Sequence, residues 1–543
     1  METNILYYGD NLEILRKYIP DNSIDLIYLD PPFNSKATYN VLYKERTGEP
    51  SQAQITAFED TWHWGLESEK ALEEIFESPI ALPTVKDFMS VMPKFLGKKT
   101  DMAAYLTMMC VRLLELKRVL KDTGCIYLHC DPTASHYLKI LMDAIFGAHS
   151  FVNEIIWKRS YAHSDAKQGS KHFGRTHDVL LFYGKSQRRK WNPLYLPYEK
   201  EYIDTYYKFV DENGRRYWKD NLTAAKPGGD TSYEWHGVRP PKGRYWAYSK
   251  ENMERLESEG RILYSGSGMP VYKRYLDEMQ GRPAQDLWDD IRGLSGLGAK
   301  KEERLGYPTQ KPETLLERVI QSSSNEGDVV LDPFCGCGTA IVVANKLNRK
   351  WIGIDITHLA ISTMKWRLET MFPNIQYKVI GEPVDLAGAK ELASQSKYQF
   401  QWWAVSLVGG QPYGDKKKGA DTGIDGYLYF MDEKNKVKKA IIQVKAGNVT
   451  VSQIRDLIGV VQREKAEMGV FLCLESATQP MQIEADSQGF YHSPLGKDYP
   501  KIQIFTIEQL LEGKKPDVPP WISPIQAPPR FKQAKGIPVR RML

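Results

Sequence analysis

Hydrophobic and polar positions at the start of the chain follow first a strand period and then a helix period. They predict a strand at Asn4–Gly9, a helix at Asn11–Tyr18 and a buried strand at Ile24–Leu29, with a turn at residues 20–22. The second strand runs directly into Asp30. This alternation predicts an α/β fold with a doubly wound sheet.

The same alternation continues farther along the chain. It predicts helices at 102–120, 137–146 and 339–347 and strands at 124–129, 329–332 and 351–355. Short aromatic and basic pieces broken by glycine and proline replace it between residues 158 and 300, which predicts an irregular insert.

A further pair of strands is predicted beyond a linker near residue 381, at Ile424–Phe430 and Ala440–Lys445. The end of the chain is rich in proline and basic residues, which is typical of a tail. The domain bounds expected are 1–157 and 301–380 for the two parts of the first sheet, 158–300 for the insert, 388–515 for a C-terminal α/β domain and 516–543 for the tail.

Composition changes this picture little. A chain of 543 residues with 42% hydrophobic and 26% charged residues is typical of several globular domains. No apolar stretch is long enough to cross a bilayer and the first residues do not resemble a signal peptide, so we expect no membrane partner. The six scattered cysteines indicate free thiols and a cytoplasmic location. A net charge of +5 permits nucleic-acid binding without requiring it.

A glycine-rich loop joins the strand at Val329–Asp332 to the next helix. Gly336 and Gly338 would let a ligand approach the backbone, and Asp355 at the end of the following strand could accept hydrogen bonds from ribose hydroxyls. Asp332 favours a cationic amino group over a pyrophosphate. The loop therefore indicates S-adenosylmethionine as the ligand, with a dinucleotide site, or a plain turn in which Asp355 caps a helix, as the alternatives.

The most specific motif is the tetrapeptide formed by Asp30, Pro31, Pro32 and Phe33. The exocyclic amine of a base is a weak nucleophile, and the Asp30 carboxylate and the Pro31 carbonyl can each accept one of its hydrogens. The two prolines stiffen the turn, and Phe33 offers a face on which an extruded base can stack. The motif predicts methylation of a base amine, and a proline-stiffened surface turn is the alternative.

These motifs together resemble the DNA amino-methyltransferases of the permuted, or β, order, in which the Asp-Pro-Pro motif precedes the insert and the donor loop follows it. The resemblance covers residues 4–375 and implies a Rossmann-like S-adenosylmethionine-dependent methyltransferase sheet with an inserted target-recognition region. The donor-binding residues that it and the loop predict are Asp10, Thr309, Gln310, Lys311, Pro312, Asp332, Pro333, Phe334, Gly336, Gly338, Thr339 and Asp355.

The insert contains aromatic and basic residues side by side, which suits stacking and phosphate contact with DNA. A small hydrophobic core surrounded by solvated charges is the alternative, and for any single residue the more frequent one. The residues concerned are Tyr206, Tyr207, Tyr217, Trp218, Trp235, Tyr245, Trp246, Lys208, Arg215, Arg216, Lys219, Lys242 and Arg244.

The C-terminal strand pair carries a second candidate site. Asp425 and Gln443 could bind Mg²⁺, with Lys445 activating a water for phosphodiester cleavage. This arrangement resembles the Mrr-like PD-(D/E)xK endonucleases over residues 390–510, with Gln443 in place of the usual second carboxylate and Glu391 as a candidate upstream acid. The alternative is a lysine-rich hairpin on a DNA-binding or structural module.

The sequence thus predicts a restriction-modification polypeptide that acts on double-stranded DNA, with a homodimer as one assembly it allows. Adenine N6 is favoured over cytosine N4 by the resemblance. The alternatives are a methyltransferase whose C-terminal domain only binds DNA, a non-catalytic DNA-binding component of a defence complex, and an RNA substrate.

Overall fold

The computed structural model describes most of the chain. The residues described are 1–32, 38–44, 50–59, 64–97, 100–160, 171, 173–226, 228–294, 303–305, 307, 309–395, 397–412, 423–433 and 436–519. They fall into two compact units, one formed by residues 1–192 and 286–543 and the other by Pro193–Gln285. Within the described part of the chain, no helix has the length and apolar character that a membrane span requires.

A nine-stranded mixed sheet organises the first unit. In spatial order its strands are Leu287–Trp288, Phe151–Lys158, His177–Gly184, Leu120–Cys130, Ile24–Leu29, Val329–Asp332, Lys350–Asp355, Ile5–Tyr8 and Lys378–Ile380. Only the strand at His177–Gly184 runs antiparallel to its two neighbours. The central strands are buried along their whole length because both faces of the sheet are covered.

Helices pack on both faces of this sheet. They are Asn11–Tyr18, Leu66–Glu77, Pro83–Leu96, Asp101–Val119, Ser135–Phe146, Glu313–Ser323, Thr339–Lys346 and His358–Met371. Alternate residues of each strand point to opposite faces, so Ile27 and Leu29 join one core and Leu26 and Tyr28 the other. This Rossmann-like architecture confirms the predicted α/β class. The bounds of the predicted elements are met to within a few residues.

The unit at Pro193–Gln285 is smaller and irregular. A four-stranded antiparallel sheet has the order Ile262–Tyr264, Pro270–Tyr275, Arg216–Asn221, Phe209–Val210. The unit also contains two short strand pairs, Thr223–Ala224 with Tyr245–Trp246 and Tyr195–Leu196 with Arg282–Pro283. Its helices are Lys200–Tyr206 and Lys250–Ser258. This compact unit is narrower than the predicted insert at 158–300, because the strand at His177–Gly184 pairs within the large sheet.

The C-terminal part has a five-stranded sheet of its own. Its order is Gln411–Pro412, Gly426–Glu433, Lys436–Lys445, Met468–Cys473, Ile502–Thr506. The helices of this part are Leu386–Gln395, Lys397–Leu407, Val451–Arg463, Gln479–Asp486 and Ile507–Leu511. Two further strand pairs lie outside the large sheets, Thr38–Lys44 with Pro50–Glu59 and Phe490–His492 with Asp498–Pro500.

Candidate functional site

A cavity of about 220 Å³ opens at the carboxyl ends of three neighbouring strands of the large sheet. Parallel pairing sets Ile27 beside Leu331, so the residues that follow these strands reach the same edge. The predicted site residues that line the cavity are Asp10, Asp30, Pro32, Thr309, Gln310, Lys311, Asp332, Pro333, Phe334, Gly336, Thr339 and Asp355. Two parts of the chain that lie some 300 residues apart in sequence thus form one site.

Other predicted residues are not part of the cavity wall. Gly338 has a left-handed backbone at φ 75°, and a Cβ atom there would lie 2.5 Å from Cγ of Met364, so packing against the protein itself requires this glycine. Pro312 precedes the helix at Glu313–Ser323 as its N-cap residue. Pro31 is buried next to the cavity residues Asp30 and Pro32. Phe33 lies outside the described residues.

Asp355 is tied into the loop that the glycines form. One of its carboxylate oxygens accepts the backbone N–H of Gly336 at 2.9 Å. The other accepts the backbone N–H and the hydroxyl of Thr357, each at 2.8 Å. Burial raises the pKa of Asp355 above its ordinary value. Its hydrogen bonds therefore fix the loop, and the remaining lone pairs can accept further donors.

Asp332 is a buried carboxyl group at the cavity wall. It is 3% exposed, and one of its oxygens accepts the N–H of Phe334 at 3.1 Å. Burial, opposed in part by that bond, raises the pKa of Asp332 well above its ordinary value, and the carboxylates of Asp30 and Asp355 add to the rise. A cationic ligand beside such a buried carboxyl group would stabilise its ionised form.

Asp30 pairs with a lysine that is 281 residues away in the chain. Oδ2 of Asp30 accepts a hydrogen bond from Nζ of Lys311. Oδ1 of Asp30 is buried and has no hydrogen-bond partner among the described residues. Such an orphaned acceptor is costly unless a ligand satisfies it. The resemblance implied that Lys311 binds the donor, whereas in the structure its ammonium group donates to Asp30.

Asp10 is held by residues that the sequence did not identify. Its side chain caps the helix at Asn11–Tyr18 and accepts a hydrogen bond from Nη2 of Arg112 at 2.6 Å. Nε of Arg112 also donates to Asn11, whose Nδ2 donates to the carbonyl of Pro333. Burial, opposed by Asp10, lowers the pKa of Arg112. Arg112 lies in the middle of a helix with buried neighbours, where no local motif marks it.

The aromatic residues of the insert mostly form a core. Tyr207, Tyr217, Trp235 and Trp246 are buried, and the last two pack together with Met253 and Leu256. Several of the basic side chains are in ion pairs inside the unit; Arg215 binds Asp277 and Glu278, and Arg216 binds Asp204. For these residues the structure favours the alternative of a small core with paired charges over DNA stacking.

The hairpin of the C-terminal part brings Asp425 and Gln443 together, as the spacing predicted. Oδ2 of Asp425 accepts the N–H of Val444 at 2.8 Å, and Nε2 of Gln443 donates to the carbonyl of Gly423 at 2.5 Å. Lys445 is half-buried at the end of the same strand. Both predicted metal ligands therefore have bonds to the backbone, whereas Oε1 of Gln443 is buried and has no hydrogen-bond partner among the described residues.

A metal site at this hairpin lacks further ligands in the described part of the chain. No group of three His, Cys, Asp or Glu side chains there is placed to hold a metal ion. Glu391 is exposed on a helix, where it accepts a hydrogen bond from Gln395 at 3.1 Å. The structure thus gives no support to Mg²⁺ binding at Asp425 and Gln443.

Comparisons with known proteins cover both parts of the chain. Residues 24–365 match the family described as N6_N4_Mtase, DNA methylase, and residues 398–512 match a family described as NACHT-associated inactive Restriction Endonuclease 1. The second description is of an inactive domain, so the predicted cleavage activity is not supported. The Mrr-like assignment is not confirmed either.

Individual relatives are DNA-modifying enzymes. The type II methyltransferase M.EcaI of Enterobacter cloacae is 34% identical over 266 residues, which are 49% of this chain and 57% of that protein. The Mod subunit of the type III restriction-modification enzyme StyLTI of Salmonella typhimurium is 29% identical over 64% of this chain and 50% of its own length. The chain thus spans about half the length of each relative.

A solved structure of PvuII DNA methyltransferase, cytosine-N4-specific, is 13% identical and covers 69% of this chain and 89% of that one, at a TM-score of 0.33. That likeness is too distant to bear on function. The match to the DNA methylase family extends over more than half of the chain and includes the Asp30 motif, the insert and the donor loop. The chain therefore belongs to the N6_N4_Mtase family of DNA methylases.

Proposed function

We propose that this chain transfers a methyl group from S-adenosylmethionine to the exocyclic amine of a base in double-stranded DNA, as the modification enzyme of a restriction-modification system. One observation carries the proposal: Asp30, whose buried Oδ1 has no partner among the described residues, and the buried carboxyl of Asp332 belong to the wall of one cavity. The first can accept an amine hydrogen and the second can bind a cation.

The residues present fit the methyl donor. Asp332 offers a buried carboxyl group to the donor's ammonium group, and Asp355 follows the neighbouring strand, where a ribose can lie. Both the Asp332 and the Asp10 carboxyls are held in place by backbone N–H groups. When bound, the donor supplies an electrophilic methyl group on a sulfonium.

The target amine would be oriented by the Asp-Pro-Pro segment. Lys311 holds Oδ2 of Asp30, which leaves Oδ1 to accept one amine hydrogen, while the Pro31 carbonyl accepts the other. Two acceptors in fixed positions direct the nitrogen lone pair toward the methyl group, and the fixed geometry lowers the barrier. The base must leave the duplex stack to reach this depth.

Adenine is the base we favour, because the chain resembles the permuted group of amino-methyltransferases. The order of motifs, with Asp30 first and Asp332 last, supports this part of the proposal. Cytosine N4 is chemically equivalent at the same acceptors and is the alternative outcome of the test below.

The test is incubation of the pure protein with plasmid and genomic DNA and labelled S-adenosylmethionine, followed by mass analysis of the nucleosides. We expect a methylated adenine in the wild type, its loss in Asp30→Ala, and its retention in Asp122→Asn, a control that removes an exposed carboxylate paired with Arg188. Absence of methyl transfer to every DNA tested, together with failure to bind the donor, would favour a non-catalytic DNA-binding component.

For the C-terminal domain we propose that it does not cleave DNA. The description of the matching family as inactive supports this over an Mg²⁺-dependent endonuclease, and so does the lack, among the described residues, of any group of three His, Cys, Asp or Glu side chains placed to hold a metal ion. Incubation of methylated and unmethylated supercoiled plasmid with the protein and Mg²⁺ should leave both intact. Nicking by the wild type that Asp425→Ala lacks would instead establish the nuclease.

A further inference from the structure

A chain of buried polar groups leads away from the cavity wall. Tyr28 lines the cavity, is 2% exposed, and places its hydroxyl 2.8 Å from Nδ1 of the fully buried His129. Nε2 of His129 lies 3.4 Å from Oδ2 of Asp178, and Oδ1 of Asp178 is 2.9 Å from Nε of Arg159. The side chain of Arg159 is 46% exposed, so the chain of groups extends from the cavity toward solvent.

The order of these groups sets the positions of their protons. His129, Lys311 and Arg159 overcome the effect of burial and hold the pKa of Asp178 below its ordinary value, so this carboxyl is ionised and can only accept. The hydrogen of a neutral His129 ring therefore resides on Nε2, and Nδ1 accepts the hydroxyl hydrogen of Tyr28. The Tyr28 oxygen keeps its lone pairs for another donor.

Three carboxyl groups lie near enough to Tyr28 to act on its phenol electrostatically. Burial, followed by the charges of Asp30, Asp332 and Asp178, raises the pKa of Tyr28 well above its ordinary value. The phenol therefore stays protonated and can pass a proton on only if it receives another at the same time. His129, next in line, is the group that can hold the proton as an imidazolium, facing the Asp178 carboxylate.

We propose that Tyr28, His129 and Asp178 form a relay that takes up the proton which the base amine loses during methylation, an inference that rests on the proposed function. The amine nitrogen bonds to the methyl carbon as the carbon–sulfur bond breaks. As the nitrogen becomes positively charged, one amine proton leaves the acceptor that held it and moves to the Tyr28 oxygen, while the Tyr28 proton moves to Nδ1 of His129. The positive charge of the sulfonium is thereby replaced by that of the imidazolium, which Asp178 stabilises. Asp30 keeps its pairing with Lys311 throughout.

The first test compares two substitutions that each remove one buried hydroxyl. Tyr28→Phe removes the relay hydroxyl, and Tyr127→Phe removes a hydroxyl that lies 2.7 Å from Ser323 in the same core. In single-turnover methylation we expect Tyr28→Phe to slow the reaction about 100-fold, the lower end of what proton transfer contributes, and Tyr127→Phe to leave the rate unchanged. The solvent deuterium isotope effect should diminish in Tyr28→Phe only, and both variants should bind S-adenosylhomocysteine like the wild type. Equal rates in the two variants would overturn the relay.

A second measurement keeps the inference testable if Tyr28→Phe folds poorly. Nitrogen-15 NMR of histidine-labelled protein, with His129→Gln to assign the signal, should show the Nε2–H tautomer at neutral pH. An Nδ1–H tautomer or a charged ring in the free protein would contradict the relay. His129→Gln should also show the slow single-turnover rate. If the wild type methylates no DNA at all, the proposed function fails; if it methylates and His129→Gln matches it, only the relay fails.

Discussion

The carboxyl ends of the central strands in the large sheet and the C-terminal hairpin carry similar residue types in different surroundings. Each has an aspartate next to a strand, with a lysine nearby in sequence or space. At the large sheet Oδ1 of Asp30 has no hydrogen-bond partner among the described residues, and Asp332 contributes a second buried carboxyl to the same cavity. At the hairpin Asp425 accepts a backbone N–H, and Gln443 donates to a backbone carbonyl. Oε1 of Gln443 is likewise buried without a hydrogen-bond partner among the described residues, so one such atom does not distinguish the two regions. The large sheet differs in that Asp30, Asp332 and Asp355 together line one cavity.

The largest expected effect on donor binding comes from Asp332→Asn. Removing one partner of a buried charge pair costs about 2–5 kcal/mol, so donor binding should weaken about 30-fold or more. The cationic donor binds best when this carboxyl is ionised, and the raised pKa of Asp332 means that ionisation increases as the pH rises. The affinity for S-adenosylmethionine should therefore increase with pH in the wild type but not in the variant. Isothermal titration calorimetry across pH measures both, and Asp122→Asn is the control.

The same variant should be more stable than the wild type. A carboxyl whose pKa is higher in the folded than in the unfolded state binds more protons when folded. The stability of the protein therefore falls as the pH rises from the ordinary pKa of an aspartate toward the raised pKa of Asp332. Asparagine does not titrate. At neutral pH we expect Asp332→Asn to gain on the order of 1 kcal/mol in the free energy of unfolding, measured with urea. Lower stability at neutral pH would show that Asp332 is a structural residue.

Replacement of the two lysines tests the contrast between the sites directly. Lys311→Met removes the ammonium group that holds Asp30 and should reduce the methylation rate roughly tenfold through loss of orientation. Lys445→Met, in the C-terminal part, should leave methylation unchanged. If Lys445→Met reduced methylation as much as Lys311→Met, the hairpin would have a role in the reaction that its geometry does not indicate.

At the hairpin itself we expect an effect on stability and none on methylation. Asp425→Ala leaves the N–H of Val444 without its acceptor and should cost about 1–3 kcal/mol in the stability of the C-terminal part, with methylation unchanged. The matched control is Asp498→Ala, which removes an exposed aspartate paired with His492. Chemical denaturation followed by tryptophan fluorescence measures the change. An unchanged stability would indicate that the Asp425 carboxylate is available for another ligand.

The smallest effect concerns the hydrogen bond between the large sheet and the C-terminal part. The hydroxyl of Tyr8, at the end of the strand Ile5–Tyr8, donates to Oε1 of Gln399 at 3.1 Å. Burial raises the pKa of Tyr8 to about 12, so the hydroxyl is protonated at all working pH values. Tyr8→Phe should cost about 0.5–1.5 kcal/mol in unfolding free energy and leave donor affinity unchanged. A change in donor affinity would instead show that the two regions are coupled.

The sequence by itself determined the α/β class, most element bounds, and the two motifs that meet at the cavity. The helix at Asn11–Tyr18 and the strands at Ile24–Leu29 and Val329–Asp332 are as predicted, because apolar periodicity and glycine or proline signals are local properties of the chain. Asp30, Asp332 and Asp355 were identified from their positions after buried strands. The domain bounds, apart from the reported differences, stay predictions.

Only the tertiary structure decided which polar atoms are left for chemistry. Tertiary packing places Lys311 on Asp30, Arg112 on Asp10, and His129 against Tyr28. It also turns most aromatics of the insert into a core, and it ties Asp425 and Gln443 to the backbone. These contacts join residues from 19 to 281 positions apart, and no local pattern encodes them, because a hydrogen bond between distant segments depends on strand pairing that the whole core must first fix.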